Sequence, residues 1–102
     1  MDRAQFYKEV YSIIKEIPYG NVSTYGKIAQ LIGKPQCSRM VGQALSHAPE
    51  EQHLPCHRVV NSQGRLVPGW QKQKELLEKE GITFKPNGCV NMPKHLWDTT
   101  GS

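Results

Sequence analysis

The amino-acid sequence predicts a small, mainly α domain of winged-helix-like, helix-turn-helix type with a short β-hairpin wing. Three observations lead to that expectation. Apolar residues recur at helical spacing in separate stretches, and two of these are joined by the tight turn Gly33-Lys34-Pro35. The turn-rich tetrad from Asn61 to Gly64 lies between two β-prone runs. With 102 residues there is length for one core and none for a second, so residues 1–100 read as a single domain. Gly101 and Ser102 read as a cloning remnant.

Phe6, Val10, Ile13, Ile14 and Ile17 form the first helical stripe, which Pro18-Tyr19-Gly20-Asn21 ends. Thr24 is suited to cap a second helix whose stripe is Tyr25, Ile28, Ala29 and Ile32, with Gly33 at its C-terminus. A third helix is expected to begin near Cys37. Cys37, Val41, Ala44 and Leu45 lie on one side of it; Arg39, Gly42, Gln43 and Ser46 lie on the other. Val59-Val60 and Arg65-Leu66-Val67 are the two arms of the expected wing, with Ser62 at its tip. A fourth helix is expected from about Trp70 to Glu80, with Leu76 and Leu77 apolar and Gly81 as its cap. The tail after Lys85 carries no readable chemistry.

Thirteen Lys and Arg against nine Asp and Glu leave a formal charge of +4, which favours a polyanionic partner without identifying one. The outward face of the third helix narrows the choice. It is small except for one long cation, Arg39, and small side chains let a helix backbone approach a nucleic-acid groove closely. A solvated helix face with no such role is the competing reading. Three cysteines with no C-x-x-C pair argue against a disulfide framework and for a reducing compartment. No apolar run approaches membrane length and no signal-peptide core is present, so the expected location is cytoplasmic, or nuclear in a eukaryote.

The chemistry centres on Pro55-Cys56-His57-Arg58-Val59, where a thiol has an imidazole and a guanidinium as neighbours. A cysteine attacks as its thiolate, and His57 and Arg58 are candidates to promote that form. This pentapeptide resembles the acceptor-cysteine motif of the O6-alkylguanine-DNA alkyltransferases. The resemblance extends to Pro18 through Gly26 (PYGNVSTYG), Ser38 through Ala44 (SRMVGQA) and Glu80-Gly81, all in the family's order and together covering residues 3–82.

Membership would imply a protein that binds O6-alkylguanine in duplex DNA through the minor groove and flips the damaged nucleotide, since O6 is shielded inside the stack. Arg39 would replace the extruded nucleotide. Tyr25 would help turn it out and hydrogen-bond near the leaving base, or else be a half-buried core residue. Thr24, Gln43 and Ser46 would meet DNA, and Ser62 would touch phosphate or simply serve its turn. Glu80 would orient His57, which removes the Cys56 proton through a water; the alternative is an exposed surface glutamate. The thiolate would take the alkyl group irreversibly, once per molecule, with no cofactor. The expected partners are damaged double-stranded DNA and other repair proteins, and the expected state is a monomer.

Two departures from the repair-enzyme pattern bear on the transfer step, and the extra N-terminal domain that those enzymes usually carry is not expected in 102 residues, which resembles the short alkyltransferase-like group within the family. Ala48-Pro49 stands where the repair enzymes carry Asn-Pro. The stretch from Arg65 to Trp70 is about three residues shorter than theirs, which implies a more open alkyl pocket. The segment from Asn91 to Trp97 (NMPKHLW) resembles that group's C-terminal pattern; members commonly have tryptophan or alanine in place of Cys56, and bind the lesion for another pathway. Two readings of other kinds compete. His53, Cys56 and His57 with Cys37, Cys89 or His95 would make a metal site, although the paired spacing of structural zinc sites is absent. A helix-turn-helix binder without lesion preference is the other.

Overall fold

The computed structural model describes residues 2–99, so Gly101 and Ser102 lie outside the described residues. Helix α1 (Arg3–Glu16) starts at Asp2, whose carboxylate accepts the Ala4 N–H, and it buries Phe6, Val10 and Ile14 along the expected stripe. The chain turns at Pro18-Tyr19-Gly20 into a two-residue strand, β1 (Ser23–Thr24), which runs directly into α2 (Tyr25–Ile32). Thr24 is both the end of the strand and the helix cap: its hydroxyl accepts the Lys27 N–H at 3.0 Å. Gly33, at φ 89°, takes the left-handed conformation that closes α2. A single 3₁₀ turn, Pro35–Cys37, then leads into α3 (Ser38–Ser46). The three helices enclose the larger core, in which Phe6, Val10, Ile28, Ala29, Val41 and Ala44 are fully buried.

The small sheet differs from the expected hairpin wing. Strand β2 (Val59–Val60) pairs in parallel with β1, Ser23 opposite Val59 and Thr24 opposite Val60, and not with residues 65–67. Both valines are fully buried, so their backbone needs an interior partner, and β1 supplies it across the α2–α3 excursion. The tetrad after β2 does turn tightly. The Asn61 side chain accepts the N–H groups of Gln63 and Arg65, and the Asn61 N–H bonds the Arg65 carbonyl. That Asx turn leaves Arg65-Leu66-Val67 as a loop.

Gly64 sits at φ 86°, where a Cβ would meet the Val90 carbonyl oxygen at 2.7 Å and its nitrogen at 3.0 Å. Both obstacles are backbone. Gly64→Ala is expected to cost about 2–4 kcal/mol from combined φ strain and overpacking, read as a lowered midpoint in urea with an unchanged slope.

Helix α4 (Lys72–Lys79) is shorter than the expected 70–80, because the Pro68-Gly69 turn holds Trp70 outside it and Glu80 is already the C-cap residue. Leu77 joins Val22, Val60, Ile82 and Val90 in a second buried cluster. The tail, in which the sequence offered no chemistry, is built into this end of the fold. Phe84 bridges Val90, a short helix α5 (Met92–His95) follows, and Leu96 makes an isolated parallel bridge to Val22. His95 is buried, its carbonyl accepting the Val22 N–H and the Asn21 side-chain amide. Its Nε2 accepts the Thr83 N–H at 2.9 Å. Burial, and then Lys94, lower its pKa, which keeps that lone pair available.

Candidate functional site

The cysteine is presented by a doubly turned segment. Pro55, at φ −78° and ψ 59°, centres an inverse γ-turn closed by the Cys56 N–H on the Leu54 carbonyl at 2.8 Å. A 3₁₀ turn over Cys56–Arg58 follows and delivers the chain into β2. The β1–β2 pairing therefore fixes the base of the cysteine turn. Cys56 and His57 border a cavity of about 510 Å³ whose walls include Tyr25, Leu45, Val67 and Trp70. Such a volume lies within the range of small-molecule sites, roughly 300–1,000 Å³.

Behind His57 stands Glu80, with its side chain only 5% exposed. His57 Nε2 lies 2.6 Å from Glu80 Oε2. Arg58 donates Nε to both carboxylate oxygens at 3.0 Å and Nη2 to Oε2 at 2.9 Å. The Gly20 N–H reaches Oε1 at 2.8 Å. Burial pushes the Glu80 pKa up, but the Gly20 N–H, His57 and Arg58 together outweigh burial and hold the carboxyl below its ordinary value. An ionised carboxylate only accepts, so His57 Nε2 carries the hydrogen and, in the neutral ring, Nδ1 keeps the lone pair.

Arg58, a sequence candidate to promote the thiolate, is engaged elsewhere. Its guanidinium is committed to Glu80, to the Ile17 carbonyl at 2.9 Å and to the face of the Tyr19 ring. Burial raises the Cys56 pKa, and the residue's own backbone N–H only partly offsets this. At rest the nucleophile is a neutral thiol, so the attacking form has to be generated by proton removal.

Helix α3 forms another wall of the cavity through Gly42, Leu45 and Ser46. Tyr25 lies against this helix, its ring 4.0 Å from where a Cβ on Gly42 would be, and burial raises its phenol pKa. It is a half-buried residue that also faces the cavity. Arg39 and Gln43 are exposed on the outward side of α3, as is Ser46, whose hydroxyl bonds the Gln43 carbonyl. Thr24 is occupied as the α2 cap, and Ser62 is exposed at the Asx turn away from the cavity lining. Ala48 borders the cavity, as do Val67 and Trp70 from the short loop.

Two structural residues escaped the sequence reading. Gly20 and Gln73 both work through contacts far apart in sequence; Gln73 is fully buried, and its amide reaches the His57 and Val59 carbonyls and the Val67 N–H. An uncharged amide between Lys72 and Lys74 was the available sign. The competing metal site does not assemble: among the described residues no three His, Cys, Asp or Glu side chains gather as a metal-holding group. Nor is any helix among them long and apolar enough to cross a membrane.

A helical domain that places a half-buried Cys-His-Glu series beside an exposed, small-faced helix defines a protein of the alkyltransferase class. The chain belongs to the family described as 6-O-methylguanine DNA methyltransferase, DNA binding domain, whose model matches residues 5–82. Alkyltransferase-like protein 1 of Schizosaccharomyces pombe is 43% identical over 102 residues, covering 91% of this chain and 94% of that protein. The DNA base-flipping protein of Vibrio parahaemolyticus is also 43% identical, over 91% of this chain and 96% of its own length. Among solved structures, the Schizosaccharomyces pombe alkyltransferase-like protein in complex with damaged DNA containing O6-carboxymethylguanine superposes with a TM-score of 0.84 at 41% identity. That match spans 96% of this chain and 99% of the other.

Proposed function

We propose that this protein binds duplex DNA containing O6-alkylguanine, turns the damaged nucleotide into the Cys56 cavity and accepts its alkyl group on the thiol. One observation carries the reading: the cavity that holds Cys56, His57 and Tyr25 is walled by α3, the same helix that exposes Arg39. A nucleotide displaced by Arg39 has this cavity, on the same helix, to enter. The names and the damaged-DNA complex of the similar proteins support the same partner. Free Cys37, Cys56 and Cys89 fit a monomer working in the reducing cytoplasm, or in the nucleus of a eukaryote.

In the reaction, His57 Nδ1 takes the Cys56 proton through a bridging water, and the imidazolium so formed is stabilised by Glu80. The sulfur lone pair forms an S–C bond to the alkyl carbon as the C–O6 bond breaks, and that electron pair stays on guanine. The neutral Tyr25 hydroxyl is the donor suited to the departing base. No further reactant is needed, and the thioether ends the protein's activity.

Arg39→Ala is expected to weaken binding to an O6-methylguanine duplex roughly tenfold, about the stacking lost with one intercalated side chain, while stability stays within about 0.5 kcal/mol of the parent. Fluorescence anisotropy with alkylated and intact duplexes measures this. Equal affinity of the parent protein for both duplexes would remove the lesion reading; an unchanged Arg39→Ala would remove the finger.

A second reading is favoured by the resting Cys56 thiol and by Ala48 at the cavity edge. In it the protein is a lesion sensor that marks damage for other repair proteins and transfers nothing.

A further inference from the structure

Gln73 lies on α4, outside the cavity lining, yet it is one of the few fully buried polar side chains among the described residues. Its amide joins three backbone points. Nε2 donates to the His57 carbonyl at 3.2 Å and to the Val59 carbonyl at 3.1 Å. Oε1 accepts the Val67 N–H at 2.7 Å. The first two points are on the cysteine turn and the start of β2. The third is on the loop that contributes Val67 and Trp70 to the cavity lining.

The ends of that loop are held by Arg65 on Asn61 and by the Gln73 N–H on the Trp70 carbonyl, and Leu66 packs on the second cluster, but between them hydrogen bonds are few. Pro68 has no N–H, and Trp70 N–H bonds the Val67 carbonyl within the loop. Among the described residues, Val67 N–H to Gln73 is the one hydrogen bond from residues 66–69 to a residue outside Arg65–Trp70. Every hydrogen of the Gln73 amide is used, so the side chain cannot rotate without orphaning buried groups on both sides.

We infer that Gln73 is a specificity-determining positioning residue: it fixes the distance between the Cys56 turn and the Val67–Trp70 wall, and so sets which O6 adducts the cavity holds. This rests on the lesion-binding reading above. A held wall grips a small adduct; a released wall forfeits those contacts but still accepts a bulky one, which fills the space itself.

The two ends of the amide can be separated chemically. Gln73→Lys offers donors for the His57 and Val59 carbonyls but no acceptor for Val67, so the wall is released. Gln73→Glu keeps the Val67 acceptor but turns an oxygen toward the two carbonyls, so the wall stays on α4 while its tie to the cysteine turn is lost. Affinities are measured for duplexes carrying O6-methylguanine and O6-benzylguanine, below each variant's unfolding transition. For Gln73→Lys the preference for benzyl over methyl should rise about tenfold, the scale of one lost buried hydrogen bond, and Gln73→Glu, which cuts the same tie at its other end, should raise it as well.

A merely structural Gln73 would lower the melting temperature of both variants and leave both ratios unchanged, which overturns the inference. Failure of the parent protein to distinguish alkylated from intact duplex would instead sink the lesion-binding reading. Amide hydrogen exchange on the parent protein tests the tether without any variant: the Val67 N–H should be protected relative to those of Leu66 and Gly69. Equal exchange at all three would overturn the inference even where the substitutions prevent folding.

Discussion

Glu80→Ala lowers the free energy of unfolding by about 3–5 kcal/mol, the scale for removing one partner of a buried ion pair. Arg58, with a side chain 16% exposed, keeps its charge and loses its anion, while the Gly20 N–H loses its acceptor. Glu80→Gln costs less, since its oxygen still accepts from Gly20. Its amide nitrogen, however, faces His57 Nε2, which must then accept, moving the ring hydrogen to Nδ1. The base would be held in the wrong tautomer, so alkyl transfer is lost from a protein that still folds and binds.

Equilibrium denaturation separates the two variants from the parent, and single-turnover transfer separates Glu80→Gln from a mere loss of stability. The pH dependence has a definite sign. The folded carboxyl lies below its unfolded value, so its stabilisation is complete above about pH 4.3 and is lost as pH falls through the folded value. Glu80→Ala should therefore lose less stability on acidification than the parent. A parallel acid loss in both proteins would contradict the network.

Cys56→Ala abolishes alkyl transfer and leaves affinity for the alkylated duplex within about threefold, because the thiol borders a cavity and is not a wall against DNA. Intact-protein mass after incubation with an equimolar O6-methylguanine oligonucleotide reads the transfer directly. The parent should gain one methyl in place of one hydrogen and the variant nothing. Since burial raises the Cys56 pKa, the parent's transfer rate should climb with pH through neutrality as proton removal becomes easier. A parent that binds tightly and never gains mass would establish the lesion sensor. A variant that still gains the methyl would place the acceptor on another residue.

Local pattern carried much of this structure. The stripe from Phe6 to Ile17, the Thr24 cap, the Gly33 terminus and the exposed Arg39 are consequences of helical periodicity and capping, both of which operate within a few residues. The motif Pro55 to Val59 and Glu80 were legible as a pair only through family resemblance; their 2.6 Å contact is a matter of tertiary packing. The partner of Val59-Val60 was misread for the same reason. A nearby β-prone run at residues 65–67 was the local choice, and the actual partner lies on the far side of two helices. Arg58 is by adjacency only a candidate neighbour of the thiol, whereas its long side chain reaches Ile17, Tyr19 and Glu80. Docking of the tail depends on His95 meeting Thr83 and Val22, which no periodicity announces.

The tie between Glu80 and the rest of the molecule bears on how such a protein changes over generations. Cys56 sits at the edge of an empty space, so its replacement leaves no neighbour unpaired and the fold tolerates it. Glu80 supports Gly20, His57 and Arg58 at once, so selection on folding alone preserves it. A lineage can therefore abandon the chemistry in one step while its proton-handling residues persist as scaffold. A retained His57–Glu80 pair in a descendant is accordingly a record of architecture, whereas loss of Cys56 by itself removes the proposed acceptor.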